Sequence, residues 1–163
     1  MILGLSTETF LQIHVALSLI GIVTGLVAVI AMVRGKFLRG WTAVFLATTA
    51  LTSATGFPLP PFGIDPPRII GMISLVVLAF AIAGLYAFRL AGPWRWIYVV
   101  AATIALYFNC FVAVVQTFMK IEFFHALAPT QQEPPFAIAQ LVVLALFVAL
   151  GVLGVKRFRP VLA

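Results

Sequence analysis

His14 and His125 are the only imidazoles in this chain of 163 residues. With Asp65, Glu122 and Glu133 they are the side chains whose types suit a divalent metal ion or a redox centre. Their spacing does not match that use. No HxxxH or HExxH pair occurs, and His125 sits in EFFHALAPT, which reads as a loop segment. A haem held by two histidines would need both rings inside one bundle. Cys110 is the single cysteine and lies in an apolar run, so an intrachain disulfide cannot form. There is no glycine-rich phosphate loop and no serine-hydrolase motif, and no motif specifies a cofactor.

The uncharged polar groups are better ordered. His14, Ser18, Gly21 and Gly25 recur at steps of four, three and four, which sets them on one helix face. Gly21 to Gly25 is also a GxxxG pattern, which lets a second helix approach closely. Thr48, Thr52 and Thr55 make one stripe, with Thr49, Ser53 and Gly56 beside it. Asn109, Ala113, Gln116 and Lys120 form a third stripe, and Gln140 stands about one turn inside the last apolar run. Such groups either hydrogen-bond between helices or line a pocket whose few polar anchors orient an apolar ligand. His14, Thr52, Thr55, Asn109, Gln116, Gln140 and His125 are the candidate ligand-binding residues. The weaker candidates for a metal are His14, His125, Glu122 and Asp65.

These residues belong to a chain that is 64% hydrophobic and only 9% charged. Soluble domains carry about 25% charged residues, so lipid must solvate most of this exterior. The expected fold is an all-α integral membrane protein. Its five transmembrane helices, in a single bundle over 1–163, fall at about 10–33, 41–57, 69–88, 94–118 and 136–155. No basic residue precedes Arg34, so the first run is expected to remain as an anchor. Arg34, Lys36, Arg39, Arg89, Arg95, Lys156, Arg157 and Arg159 cluster in the first and third loops and the tail, without an acid among them. Glu8, Asp65, Glu122 and Glu133 share the other side with Arg68 and Lys120. The positive-inside rule then places the N-terminus outside and the C-terminus in the cytoplasm.

The net charge of +6 is therefore a topology signal with anionic lipid as its natural partner, and nucleic acid is not a partner. No carboxylate falls inside a span, which argues against proton- or sodium-coupled transport. Five spans also do not divide into the equal halves of an inverted repeat. EFFHALAP is expected to form a short amphipathic helix on the outer surface, with Phe123 and Phe124 turned to lipid.

Through TALTSATGF, WRWIYVVAATIALYFNCFVAVVQ and APTQQEPPFAIAQ, most of the chain resembles a group of small multi-spanning bacterial inner-membrane proteins with no assigned activity. The resemblance implies a multi-pass location in the bacterial inner (plasma) membrane. The N-terminal layout is also similar to bacterial families with a paired-histidine pattern. Here the first basic loop, Arg34 to Gly40, has no histidine, so no haem or metal role carries over.

The leading expectation is an outward-facing polar pocket that binds a lipid, a quinone or another apolar ligand, or a partner subunit. The glycine faces also suit a homo-oligomer. The alternative is a membrane-bound redox or metal-dependent enzyme using His14, His125 and the outer carboxylates.

Overall fold

The computed structural model describes residues 1–60, 62–63 and 66–160. Its elements are α1 (Thr7–Val33), α2 (Arg39–Gly56), α3 (Pro66–Ile82) running into a π-helical turn (Ala83–Ala87), α4 (Trp94–Lys120), α5 (Glu122–Leu127) and α6 (Pro134–Arg157). The fold is all-helical, and no strand forms among the described residues.

Among the described residues, four helices are long and apolar enough to cross a membrane: α1, α3 with its π turn, α4 and α6. The sequence predicts five. The second apolar run does fold as a helix, but α2 has only 18 residues, opens on Arg39 and carries five threonines and a serine. Hydroxyl content and one guanidinium bring it below the apolarity of the other four.

Local signals set the ends. Ser6 caps α1 by accepting a hydrogen bond from the Thr9 N–H at 3.1 Å. The other end of α1 closes on Gly35, whose φ of +72° suits glycine. There the Gly35 and Lys36 N–H groups donate back to the Met32 and Ala31 carbonyls. Pro134 and Pro135 open α6, where their missing N–H groups cost nothing.

Glu133 is the residue before the first turn of α6, and its side chain binds the preceding turn rather than the helix N–H groups. Slight desolvation pushes its carboxyl up. Hydrogen bonds from the Thr130 hydroxyl and from the N–H groups of Glu133, Thr130 and Gln132 outweigh that, and hold it below the usual carboxylate range.

Side-chain pairings give the helix directions. Gly25 meets Phe45, Gly21 meets Thr49 and His14 meets Thr55, so α1 and α2 run antiparallel along their length. Gly71 faces Ser53, and Gly84 faces Trp94 and Tyr98, which sets α3 antiparallel to both α2 and α4. Gly151 meets Thr103, and Gly154 meets Val99, which sets α6 antiparallel to α4. Thus α1, α3 and α6 point one way and α2 and α4 the other. The chain enters α1 at the end of the bundle that holds Lys120 and leaves α6 at the end that holds Arg39.

α4 is the hub, touching every other helix. Tyr98, Val99, Ala102, Ala105 and Leu106 are fully buried there, packed with Phe45 of α2, Leu78 and Ala81 of α3, and Phe147 of α6. α6 is the peripheral member, burying only Phe147 and Gly154. Its outward Leu141, Leu144, Val148 and Val152 are exposed, as are Val23 of α1 and Val76 of α3. An apolar exterior of this extent is what a hydrocarbon solvent requires.

Candidate functional site

The polar residues of α1, α2 and α4 converge on one seam. At mid-depth, the Asn109 amide donates to Thr49 Oγ1 at 3.4 Å, inside the bundle. Gly21 makes the approach of the three helices possible. A β-carbon there would stand 3.0 Å from Thr49 Oγ1, 3.1 Å from Asn109 Nδ2 and 3.3 Å from Thr48 Oγ1. An amide in an apolar interior must find a partner, and this node supplies one. One turn further out, Thr52 Oγ1 is buried without a hydrogen-bond partner.

Nearer the Lys120 end, His14 Nδ1 lies 2.9 Å from Thr55 Oγ1. The Thr55 hydroxyl has a single proton, and the Leu51 carbonyl stands 2.7 Å from its oxygen. With that proton donated to Leu51, Thr55 accepts from His14 Nδ1, and in the neutral ring Nε2 is then the acceptor. The ring is half-buried, and Ser18 and Gln116 are half-buried as well. The seam thus offers an imidazole, the Asn109 amide and a spare hydroxyl, with apolar helix surface around them.

Four of the seven candidate ligand-binding residues line this seam: His14, Thr52, Thr55 and Asn109. Gln116 is half-buried on α4, about two turns beyond Asn109, and the other two do not join it. Gln140 donates from α6 to the Phe111 carbonyl at 3.3 Å, and its own oxygen is buried unpartnered. His125 is exposed on α5 and hydrogen-bonds the Phe118 carbonyl at 3.3 Å, so it secures the short helix to the end of α4. α5 itself forms where a short helix is expected. Its two aromatics divide their roles, since Phe123 is exposed while Phe124 turns back onto Phe118 at a ring distance of 5.4 Å.

The metal candidates do not assemble. Among the described residues no three His, Cys, Asp or Glu side chains come together as a metal-ion site. Glu122 is exposed on α5, Glu133 accepts from Thr130 and Gln132 in the turn before α6, and Asp65 lies outside the described residues. Two polar contacts are not evident from residue types alone. Gln131 donates to the Val115 carbonyl, and Arg95 donates to the last turn of α6. Both cross between segments far apart in the chain, so no local spacing marks them.

Comparison of the chain with protein-family models, curated proteins and solved structures gives no match.

Proposed function

We propose that this chain is a multi-spanning protein of a bacterial inner membrane that binds an apolar or amphiphilic molecule, with the oxygen-bearing end of that molecule held at the His14 seam. The carrying observation is the His14–Thr55 pair, which sets a half-buried imidazole on the same seam as the unpartnered Thr52 hydroxyl and the Asn109 amide. A quinol hydroxyl or a glycerol hydroxyl can donate to the free ring nitrogen. A quinone or ester carbonyl can accept from the Thr52 hydroxyl. Such a molecule fits the site chemistry of a few polar anchors in apolar surroundings.

The experiment is extraction and mass spectrometry of molecules retained by protein purified in a mild detergent. The wild type is expected to hold one amphiphile at defined stoichiometry. His14→Phe should lose most of it while Gln140→Leu, outside the seam, keeps it. Equal retention by His14→Phe, or no retained molecule in the wild type, would sink the reading.

The membrane arrangement proposed has α2 as the fifth crossing, with the N-terminus outside and the C-terminus in the cytoplasm. Its 18 residues reach about 27 Å at 1.5 Å per residue, close to the ~30 Å apolar layer. Its hydroxyls face α1 and α4 or bond their own backbone, as Thr48 does to Val44 at 2.7 Å, so lipid need not meet them. The eight clustered basic residues all fall at the Arg39 end of the bundle, which supports that end as the cytoplasmic one. A C-terminal fluorescent fusion is expected to glow, and a C-terminal alkaline phosphatase fusion to be inactive. Active phosphatase there would place the C-terminus outside and remove the five-crossing arrangement.

A further inference from the structure

At the Arg39 end, a cleft of about 630 Å³ opens between the start of α2 and the π turn that ends α3. Phe37, Arg39 and Ala43 form one wall, and Leu85, Tyr86 and Arg89 form the other. We propose that this cleft binds an anionic phospholipid of the bilayer, its phosphate diester between Arg39 and Arg89 and its first acyl carbons along Ala43 and Leu85.

Three observations point there. First, the two guanidiniums come from segments fifty residues apart in sequence, and the fold brings them to opposite walls of one cleft. Basic residues that serve only to orient a chain need no such convergence. A guanidinium also matches phosphate oxygens in a planar, two-pronged fashion. Second, the charge is one-sided. Eight basic residues gather at this end, while Glu8, Glu122 and Glu133 lie at the other. Third, the cleft is lined mostly by apolar surface, and exposed Trp41 and Trp96 mark the same level as an interfacial one. A free phosphate has no use for Phe37, Ala43 and Leu85, whereas a lipid uses both halves. The π turn shapes the second wall: the Phe88 N–H bonds the Ala83 carbonyl five residues back, and Arg89 follows at a φ of +47°. π-Helical insertions of this kind recur at functional sites.

The proposal rests on the membrane reading and not on the His14 seam. It is tested by native mass spectrometry of the purified chain in mild detergent with added phosphatidylglycerol, phosphatidylcholine or inorganic phosphate. Phosphatidylglycerol is expected to stay bound in preference to phosphatidylcholine, and millimolar phosphate should not displace it. The double variant R39Q/R89Q should weaken phosphatidylglycerol binding about tenfold, as loss of charge-assisted hydrogen bonds implies. K156Q/R157Q removes the same charge elsewhere at this end and should leave binding within about twofold, as for surface charges. Equal binding of the two lipids, or equal losses in both double variants, would reduce the effect to general attraction to a basic face. Displacement by phosphate would make the site one for a free anion and overturn the lipid assignment. If R39Q/R89Q does not fold, R89Q alone carries the test, because Arg89 lies on an exposed turn. Gln140→Leu, which lies outside both the cleft and the seam, should leave this binding unchanged.

Discussion

Gly25→Ala is expected to destabilise the bundle by about 1–3 kcal/mol, the range for overpacking a closed interior. A β-carbon at Gly25 would stand 2.6 Å from Leu106 Cδ1 and 2.7 Å from the Phe45 ring. Both neighbours are fully buried, so neither has free volume to move into. The leucine tip can swing aside, but the phenylalanine ring cannot without shifting α2 on α1. Gly25→Leu should therefore prevent the native contact of α1, α2 and α4 altogether. Gly40→Ala is the matched control, since nothing stands within 4 Å of the added carbon. There the change should be neutral, or slightly favourable through helix propensity of up to ~1 kcal/mol. Titration of each variant from mild detergent into sodium dodecyl sulfate, followed by circular dichroism, measures the difference. Equal midpoints for Gly25→Ala and Gly40→Ala would show that the three-helix contact is looser than described.

The second large effect concerns α6. That helix buries little, so its attachment depends on a few defined contacts. Arg95, at the start of α4, donates from Nη1 to the Val155 carbonyl at 2.9 Å and to the Phe158 carbonyl at 2.7 Å. Those carbonyls belong to the final turn of α6 and to its C-cap residue, where helix geometry leaves acceptors unpaired. The same contact seats Phe158 against Phe37 and Tyr98, at ring distances of 6.3 and 5.9 Å.

Arg95→Leu should cost about 2–3 kcal/mol, the scale of hydrogen bonds to a charged donor. It should also release the end of α6. Arg95→Lys should recover part of the loss, because an ammonium is a point charge without the two-pronged fork. Trypsin cleavage after Lys156 and Arg157 in inside-out vesicles reports that release directly. Faster cleavage in Arg95→Leu is the expected outcome, and wild-type rates would show that the apolar contacts of Phe158 suffice without Arg95.

The helices were legible because long apolar runs and Pro or Gly punctuation mark them, and their ends fall within about three residues of the predicted ones. The face that carries His14, Gly21 and Gly25 was legible from spacing alone, since a helix has one period. What spacing cannot convey is which helix meets which. Asn109 could have bonded to any neighbour, and only the antiparallel contact of the three helices delivers it to Thr49.

His125 and Glu133 have side chains that suit chemistry, and in the structure they fasten α5 and the turn that precedes α6. For Glu133 a signal existed, since an acid just before Pro134 and Pro135 is a helix-start pattern. The basic residues were explained by orientation alone. That account was sufficient in sequence, and it concealed both the Arg95 contact and the Arg39–Arg89 cleft.

The threonines of α2 also bear on how the chain enters a membrane. A segment that opens on an arginine and holds five threonines and a serine partitions poorly into lipid by itself. Its hydroxyl face is covered by α1, made before it, and by α4, made two helices later. If α2 crosses the membrane as proposed above, α1 is the only neighbour made early enough to cover that face until Asn109 of α4 follows.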